Sequence, residues 1–175
     1  MRKIANCFIA LVAVTLQAGT CLAQNSEQTK FYKLEFVVKE VEAGKVLNAR
    51  AYSITASNLE PPSMAACTIR TGSKVPTPIT SSGAGGMNFT FLDVGVSIDC
   101  YSIRDSQTGL TLTVSADISS ILQETATPAN PPVIRQNKWA AHVIVPFKKP
   151  TVLFSSDDAT TKRQMQLELT VTPIL

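Results

Sequence analysis

Apolar and polar residues alternate along most of the chain after residue 30, which is the period of a β-strand with one buried face. The clearest case runs from Leu110 to Ile118, where every second residue is apolar and the residues between them are Thr, Ser or Asp. After residue 23 no stretch sustains the i, i+3, i+4, i+7 spacing of an amphipathic helix, and only Ser119–Thr125 is expected to form a short helical turn. The pattern therefore predicts an essentially all-β domain.

Gly, Pro, Asn, Asp and Ser residues separate the alternating runs into individual strands. The predicted strands are Phe31–Val41, Val46–Ala56, Cys67–Arg70, Asn88–Ile103, Leu110–Ile118, Val133–Pro146, Thr151–Ser155 and Met165–Pro173. Ala43-Gly44 is the expected turn of an antiparallel hairpin, and Thr71-Gly72 is expected to end the third strand. Pro76 and Pro78 confine the residues after it to a sheet edge or a connection. A slip in the alternation near Asp93 predicts a bulge.

About eight strands at such short spacing favour two packed antiparallel sheets over one open sheet. An open sheet would leave long unpaired edges exposed to solvent. The predicted fold is therefore an antiparallel β-sandwich or flattened barrel. A length of 175 residues and an apolar content of 45% fit one globular domain.

The first 23 residues have the pattern of an export signal. Two basic residues precede an apolar run from Ile4 to Leu16, and Cys21-Leu22-Ala23 supplies the small residues of a cleavage site. We expect cleavage before Gln24, which leaves residues 24–175 as a single β domain that is periplasmic or secreted. The alternative is a lipoprotein signal centred on Cys21, although Thr20 stands where Gly or Ala is preferred. No second apolar run approaches the roughly 20 residues of a spanning helix.

Charge adds little to this picture. The chain has 16 Lys and Arg against 13 Asp and Glu, a formal net charge of +3. The predicted signal holds two of the basic residues, so the remaining domain has a formal charge of +1. Nucleic-acid binding driven by bulk positive charge therefore has no support.

The cysteines point to a disulfide. Cys7 and Cys21 lie in the predicted signal, so Cys67 and Cys100 remain as an even pair in an oxidising compartment. A bond between them would stabilise the domain by roughly 3–4 kcal/mol on the chain-entropy model. Two buried free thiols are the alternative. A metal site is not predicted, because the chain has one His and no Cys-x-x-Cys spacing.

Residues for catalysis are not evident in the sequence. The single histidine, His142, lies inside a predicted strand, and no Gly-x-Ser-x-Gly elbow, phosphate loop or dinucleotide motif occurs. Asp157-Asp158 offers clustered oxygens that a hard cation prefers, but its spacing is not that of a calcium hand. We interpret this loop as a solvated turn, and predict no catalytic residue, metal or cofactor.

A candidate contact with a protein partner combines two aromatic and two basic residues: Trp139, Phe147, Lys148 and Lys149. A Trp can anchor a partner, although in an alternating strand it also packs in a core. Lysines at strand ends can also serve only to keep sheet edges soluble.

Four segments in order resemble the secretin core of type II and type III secretion and type IV pilus channels. Phe91–Ile98 resembles the family's "hydrophobic-D-x-G-V-x-L" strand, and Leu110–Ser120 resembles the "V-x-L-x-V-x-x-E-V-S-S" strand that follows it. Pro132–Pro146 is similar to the "P-x-I-x-x-R-x-x-x-T-x-V-x-V" hairpin, and Thr161–Ile174 to the closing "E-L-x-I-x-I-T-P" strand. The resemblance covers residues 88–175, and residues 24–87 supply an N-terminal hairpin and loops.

The resemblance implies a shared β-fold more than a shared transport activity. Secretins place a Gly-Gly-Leu turn and a longer "P-x-L-G-x-I-P-x-L-G" insertion where this chain has only Phe154–Thr161. We therefore expect a non-catalytic exported protein that acts as a binding or structural component of a cell-envelope or secretion assembly, through self-association or a protein partner. A miniature secretin-like pore subunit is the alternative, and a small metal-dependent hydrolase using the Asp157-Asp158 loop is a third.

Overall fold

The computed structural model of the protein describes residues 28–59, 64–79, 88–121, 132–158 and 161–174. The predicted export signal and Ser81–Gly86 lie outside these residues. The described residues form eight strands and no helix. The strands are β1 Phe31–Glu42, β2 Lys45–Ser57, β3 Cys67–Ile79, β4 Asn88–Ser106, β5 Gly109–Ile121, β6 Ile134–Val145, β7 Thr151–Asp157 and β8 Arg163–Ile174.

The strands make two four-stranded sheets, and every pairing within them is antiparallel. The first sheet has the order β2-β1-β8-β7, and the second has the order β3-β4-β5-β6. The last strand therefore returns to lie beside the first, along the whole length of β1. This sandwich-like all-β arrangement confirms the predicted fold class.

The core lies between the sheets, where the alternating apolar residues of both meet. In the first sheet it is built on Leu34 and Phe36 of β1 and on Leu169 of β8, all completely buried. In the second sheet Leu112 and Val114 of β5 are equally buried. Alternation places the intervening polar residues on the outer faces, so the pattern of each strand fixes which face is covered.

β3 continues well beyond the predicted end at Thr71-Gly72. Gly72 lies directly opposite Gly95 in an unbroken β3–β4 ladder. A Cβ on Gly72 would stand 2.2 Å from the carbonyl oxygen of Val94, so these glycines allow a close approach of the two backbones rather than a turn. Pro76 and Pro78 are tolerated because β3 is an edge strand, as the sequence predicted.

Two smaller predictions were wrong, one of a bulge and one of a helical turn. The shift in the β4–β5 register falls between Tyr101 and Arg104, not near Asp93. Ser102 has a φ of 53° there, in the left-handed region that one residue of some β-bulges adopts. Of the expected helical turn Ser119–Thr125, residues 119–121 extend β5 because they pair with β6, and the rest lies outside the described residues.

The sheets are joined by contacts at their ends as well as by the core. Lys30, just before β1, pairs with Asp105 near the end of β4. Next to this ion pair, the Tyr32 ring stacks on Phe147 with ring centroids 6.1 Å apart. Tyr32 is 1% exposed. Burial, and after it the negative charge of Asp105, raise the pKa of Tyr32 above its usual value.

Tyr32→Phe should leave the free energy of unfolding at neutral pH within about 1 kcal/mol of the native value. It should also make the loss of stability at alkaline pH shallower. Folding raises the pKa of Tyr32. Its contribution to stability is therefore complete below the unfolded pKa near 10 and is lost as the pH rises through the folded value. Urea unfolding of both proteins from neutral to alkaline pH measures this. Parallel curves throughout would assign the alkaline loss to other groups.

Candidate assembly interface

The predicted partner contact is divided by the structure into packed aromatics and exposed lysines. The Trp139 ring lies between the sheets, with its centroid 6.0 Å from that of Phe154 on β7. Phe147 packs on Tyr32 at the end of the sandwich. Lys148 and Lys149 are exposed in the turn that follows. The aromatic residues thus hold the sheets together, and a contact of these four residues with a partner stays a prediction.

The other residues singled out for chemistry form structural contacts. The Asp158 carboxylate lies 2.5 Å from the Arg135 guanidinium, and 8% of its side chain is exposed. Asp157 accepts a hydrogen bond from the Gln164 amide at 2.9 Å. His142 Nδ1 lies 3.0 Å from the Thr113 hydroxyl on the neighbouring strand. Among the described residues no three His, Cys, Asp or Glu side chains are grouped closely enough to hold a metal ion.

Cys67 and Cys100 are joined by a disulfide, which confirms that prediction. They are directly opposite in the β3–β4 register, with Cα atoms 4.9 Å apart. Both are buried in the core. The bond therefore anchors the start of the edge strand β3 to a strand inside the sheet.

Open strand edges lie on both sides of the sandwich. On one side the first sheet ends with β2 and the second with β3, and on the other side they end with β7 and β6. Within the described part of the chain, each of these four strands has a hydrogen-bonded neighbour strand on one side only. Unpaired backbone N–H and C=O groups on such an edge are a template for another strand.

The edge strands differ in how strongly they hinder pairing with a further strand. β7 has only seven residues and a register shift between Val152 and Phe154. β2 has 13 residues and shifts register opposite Glu40 and Val41. Short strands, bulges and prolines all hinder pairing with a further strand. β6 has none of these features, because its 12 residues contain no proline and pair with β5 in an unbroken register.

The direction in which backbone groups point can be followed from Gly95. Its N–H donates to the Ser119 hydroxyl on β5 at 3.0 Å, so the N–H of Gly95 faces β5 and not β3. N–H groups alternate in direction along a strand, and pairs in an antiparallel ladder alternate in the same way. Carried through the β4–β5 and β5–β6 registers, this alternation turns the N–H of Ala140 away from β5, toward the open edge of β6.

Strand directions allow both sheets to continue in a second copy. Each sheet has four antiparallel strands, so its two edge strands run in opposite directions. A second copy placed side by side would set its β2 antiparallel to β7 and its β3 antiparallel to β6. Antiparallel pairing needs no crossover connection and makes a regular ladder. The sequence pattern did not indicate this property, because alternation identifies the faces of a strand and not its neighbours.

A groove of about 500 Å³ lies on the outer face of the second sheet, where β4 separates from β5. Its lining includes the Gly72–Gly95 pair, the ion pair Lys74–Asp93, and Arg70, which pairs with Asp99. The hydrogen bonds that the Arg70 guanidinium donates to the Asp99 carboxylate raise the pKa of Arg70. Gly72 and Gly95 are visible in the sequence, but their opposition depends on the β3–β4 register, which no local pattern fixes. Among the described residues, no helix is long and apolar enough to cross a membrane.

Comparison with known proteins bears on the fold. No protein-family model matches the sequence, and no curated protein matches it. Aeromonas hydrophila ExeD has a TM-score of 0.50 and 10% identity, covering 83% of this chain and 47% of that one. The type II secretin GspD from enteropathogenic Escherichia coli has a TM-score of 0.49 and 8% identity, covering 85% and 70%. The secretin InvG of the Salmonella SPI-1 type III secretion injectisome has a TM-score of 0.46 and 9% identity, covering 84% and 64%.

At 10% identity the likeness to ExeD shows a shared fold. It confirms, at the level of the fold, the secretin resemblance that the motifs indicated. The shared fold also extends further than the motifs do, because it takes in residues before Asn88. The pairing of β1 with β8 gives the physical reason, since the N-terminal hairpin completes the first sheet. This chain spans about half the length of the ExeD chain.

Proposed function

We propose that this protein is a non-catalytic structural subunit of a cell-envelope secretion assembly, which it joins through the open edges of its sandwich. The observation that carries the proposal is the geometry of those edges. Both sheets end in edges of opposite direction on opposite sides, so the edge strands of one copy can run antiparallel to those of the next, and β6 is the edge with no short length, bulge or proline to hinder pairing. A head-to-tail contact of this kind generates rings or filaments.

A non-catalytic role is supported by the contacts of the residues that would carry chemistry. Asp158 is paired with Arg135 across the sheets, and His142 contacts Thr113 in a cross-strand pair. These groups make contacts within the fold. The proposal of an envelope location is supported by the Cys67–Cys100 disulfide, since such bonds persist in oxidising compartments. The predicted export signal before Gln24 agrees with that location.

The proposal is tested by the mass of the purified, oxidised protein in mild detergent, measured by light scattering after size-exclusion chromatography. We expect oligomers in the native protein and a much smaller species for Ala140→Pro, because proline removes the N–H that faces the open edge of β6. Ala140→Val is the matched control, since it keeps the N–H and should assemble like the native protein. A monomeric native protein, or oligomers unchanged in Ala140→Pro, would refute assembly through this edge.

A second candidate function, a miniature secretin-like pore subunit, is favoured by the same opposite edges, because they permit a lateral array to close on itself. This function differs from a purely structural role in requiring an open passage. Ion conductance across planar bilayers by the isolated oligomer would establish it. Stable oligomers without conductance would leave the structural role as the function.

A further inference from the structure

The hairpin of β3 and β4 extends beyond the second sheet. We call residues Ser73–Ile79 and Asn88–Asp93 the β3–β4 arm. These residues pair with each other in regular register. The pairing of β4 with β5, in contrast, begins only at Val96. The arm is therefore a two-stranded ribbon that leaves the sandwich at the Gly72–Gly95 pair, where Gly95 has a φ of 152°.

The arm exposes large apolar side chains. Phe89 is 51% exposed, Phe91 60% and Leu92 42%. Phe89 and Phe91 lie on one face of the ribbon and Leu92 on the other, because successive side chains of a strand alternate. Phe89 and Phe91 thus place two exposed aromatic rings side by side on one face of the ribbon, where a partner could cover them.

The two edges of the arm are not equivalent. Pro76 and Pro78 lie opposite Phe91 and Phe89 in the β3–β4 register. The N–H of Gly95 points away from β3, so by alternation the N–H groups of Phe91 and Phe89 also point away from β3. The nitrogens of the two prolines accordingly face outward on the β3 edge, and this edge has no donors at these positions.

The β4 edge of the arm, in contrast, keeps its donors. Residues 88–93 contain no proline, and no described strand pairs with them on that side. The N–H and C=O groups of Phe89 and Phe91 point to this edge. Among the described residues, the arm is thus closed to strand addition along β3 and open along β4.

We infer that the open β4 edge of the arm pairs antiparallel with the same edge of a second copy of this chain. In the register that fits both copies, Phe89 of each copy lies opposite Phe91 of the other, and Thr90 lies opposite Thr90 on the twofold axis. Phe89 and Phe91 then exchange backbone hydrogen bonds with their counterparts, and their rings become cross-strand neighbours. The product is a four-stranded ribbon in the order β3-β4-β4-β3.

A second copy fits this edge because the edge is self-complementary. Lys74 and Asp93, at the base of the arm, neutralise each other at 2.9 Å, so two arms meet without like-charge repulsion. The prolines end up on both outer edges of the four-stranded ribbon, which stops further addition and limits the contact to two copies. The contact uses the outer edge of β4, which takes no part in the β2–β7 and β3–β6 pairing of the assembly proposed above.

Disulfide trapping tests the register. Thr90→Cys should form a covalent dimer on mild oxidation, because the two Thr90 Cα atoms would be about 4.5 Å apart in a non-hydrogen-bonded pair. Thr77→Cys is the matched control. Thr77 lies opposite Thr90 on the same arm, so its two copies would be separated by three strand spacings, about 14 Å. Equal yields of covalent dimer for the two variants, or none for Thr90→Cys, would overturn the inference.

Proline substitution tests the edge itself, with sedimentation velocity as the measurement. Phe91→Pro removes a donor from the open edge and leaves the β3–β4 ladder intact, so dimerisation through the arm should weaken about tenfold or more. Phe91→Ala keeps the donor and should weaken it less. Replacing both Pro76 and Pro78 by Val should open the second edge and give species larger than the native protein forms.

Three further experimental outcomes distinguish the arm contact from its alternatives. If the double variant Phe91→Pro/Thr90→Cys forms as much covalent dimer as Thr90→Cys alone, the inference is wrong. Arms that bind phosphatidylethanolamine–phosphatidylglycerol vesicles while Thr90→Cys stays monomeric would identify a lipid surface as the occupant instead. If Ala140→Pro/Thr90→Cys loses the larger oligomers but still forms the covalent dimer, the arm contact and the edge assembly are separate contacts.

Discussion

Removing the Cys67–Cys100 disulfide should lower the free energy of unfolding by about 3–4 kcal/mol. The bond closes a loop with a sequence separation of 33 residues, which restricts the unfolded chain. It also joins β3, an edge strand whose only partner in the described sheet is β4, to the interior of the sandwich. Urea unfolding of the oxidised protein and of the Cys67→Ala/Cys100→Ala variant measures the difference.

The dependence of the unfolding free energy on urea gives a second readout. An unfolded chain without the cross-link exposes more surface, so the m value should rise in the double variant. The native protein held in reductant is the control, because it keeps both sulfur atoms in the core and loses only the bond. A loss below about 1 kcal/mol in both cases would contradict a stabilising role for the disulfide.

The disulfide also shows which structural features can be predicted from the sequence and which cannot. The count of cysteines outside the predicted signal is enough to predict the pair, since an even pair in an oxidising compartment is expected to bond. The direct opposition of Cys67 and Cys100 is a property of the β3–β4 register. Nothing local in the sequence fixes that register, because the linker between the strands is long and has no turn motif of defined length.

Strand positions followed from alternation, and the early end predicted for β3 occurred where Gly and Pro have an unusual role. Gly72 normally indicates a turn, yet here it allows two backbones to approach closely opposite Gly95. A proline normally ends a strand, yet Pro76 lies on an edge strand, where its missing N–H costs no ladder hydrogen bond. The same residue types therefore have different meanings inside a sheet and at its edge, and the sequence does not state which strands are edges.

The candidate interface was the least predictable part of the molecule. Trp139 and Phe147 have the composition of a partner contact, but a residue type does not show whether a half-buried ring packs on a partner or on the opposite sheet. The structure packs them on Phe154 and Tyr32. The open edges are made of backbone groups, which every residue except proline carries alike. They become visible only when the order of strands in each sheet is known.

Phe36→Ala should cause the largest loss among single core substitutions, about 3–5 kcal/mol in the free energy of unfolding. Phe36 is completely buried in the middle of the inner strand β1, with Tyr52 of β2 and Leu169 of β8 as its direct ladder partners. Alanine leaves a cavity between the sheets that these neighbours on a rigid ladder cannot fill. Urea unfolding and thermal melting measure the effect, which corresponds to a fall in Tm of about 10 °C or more.

Val37→Ala is the matched control for this prediction, because Val37 is the next residue of the same strand and faces the outer side of the first sheet. It is only partly buried, so its loss should be about 1 kcal/mol or less. The difference between the two variants measures the asymmetry of burial across β1, independent of any effect of alanine on the strand backbone. Equal losses would contradict the assignment of the Phe36 face to the core. A larger loss for Phe36 would tie the alternation in the sequence directly to the packing of the two sheets.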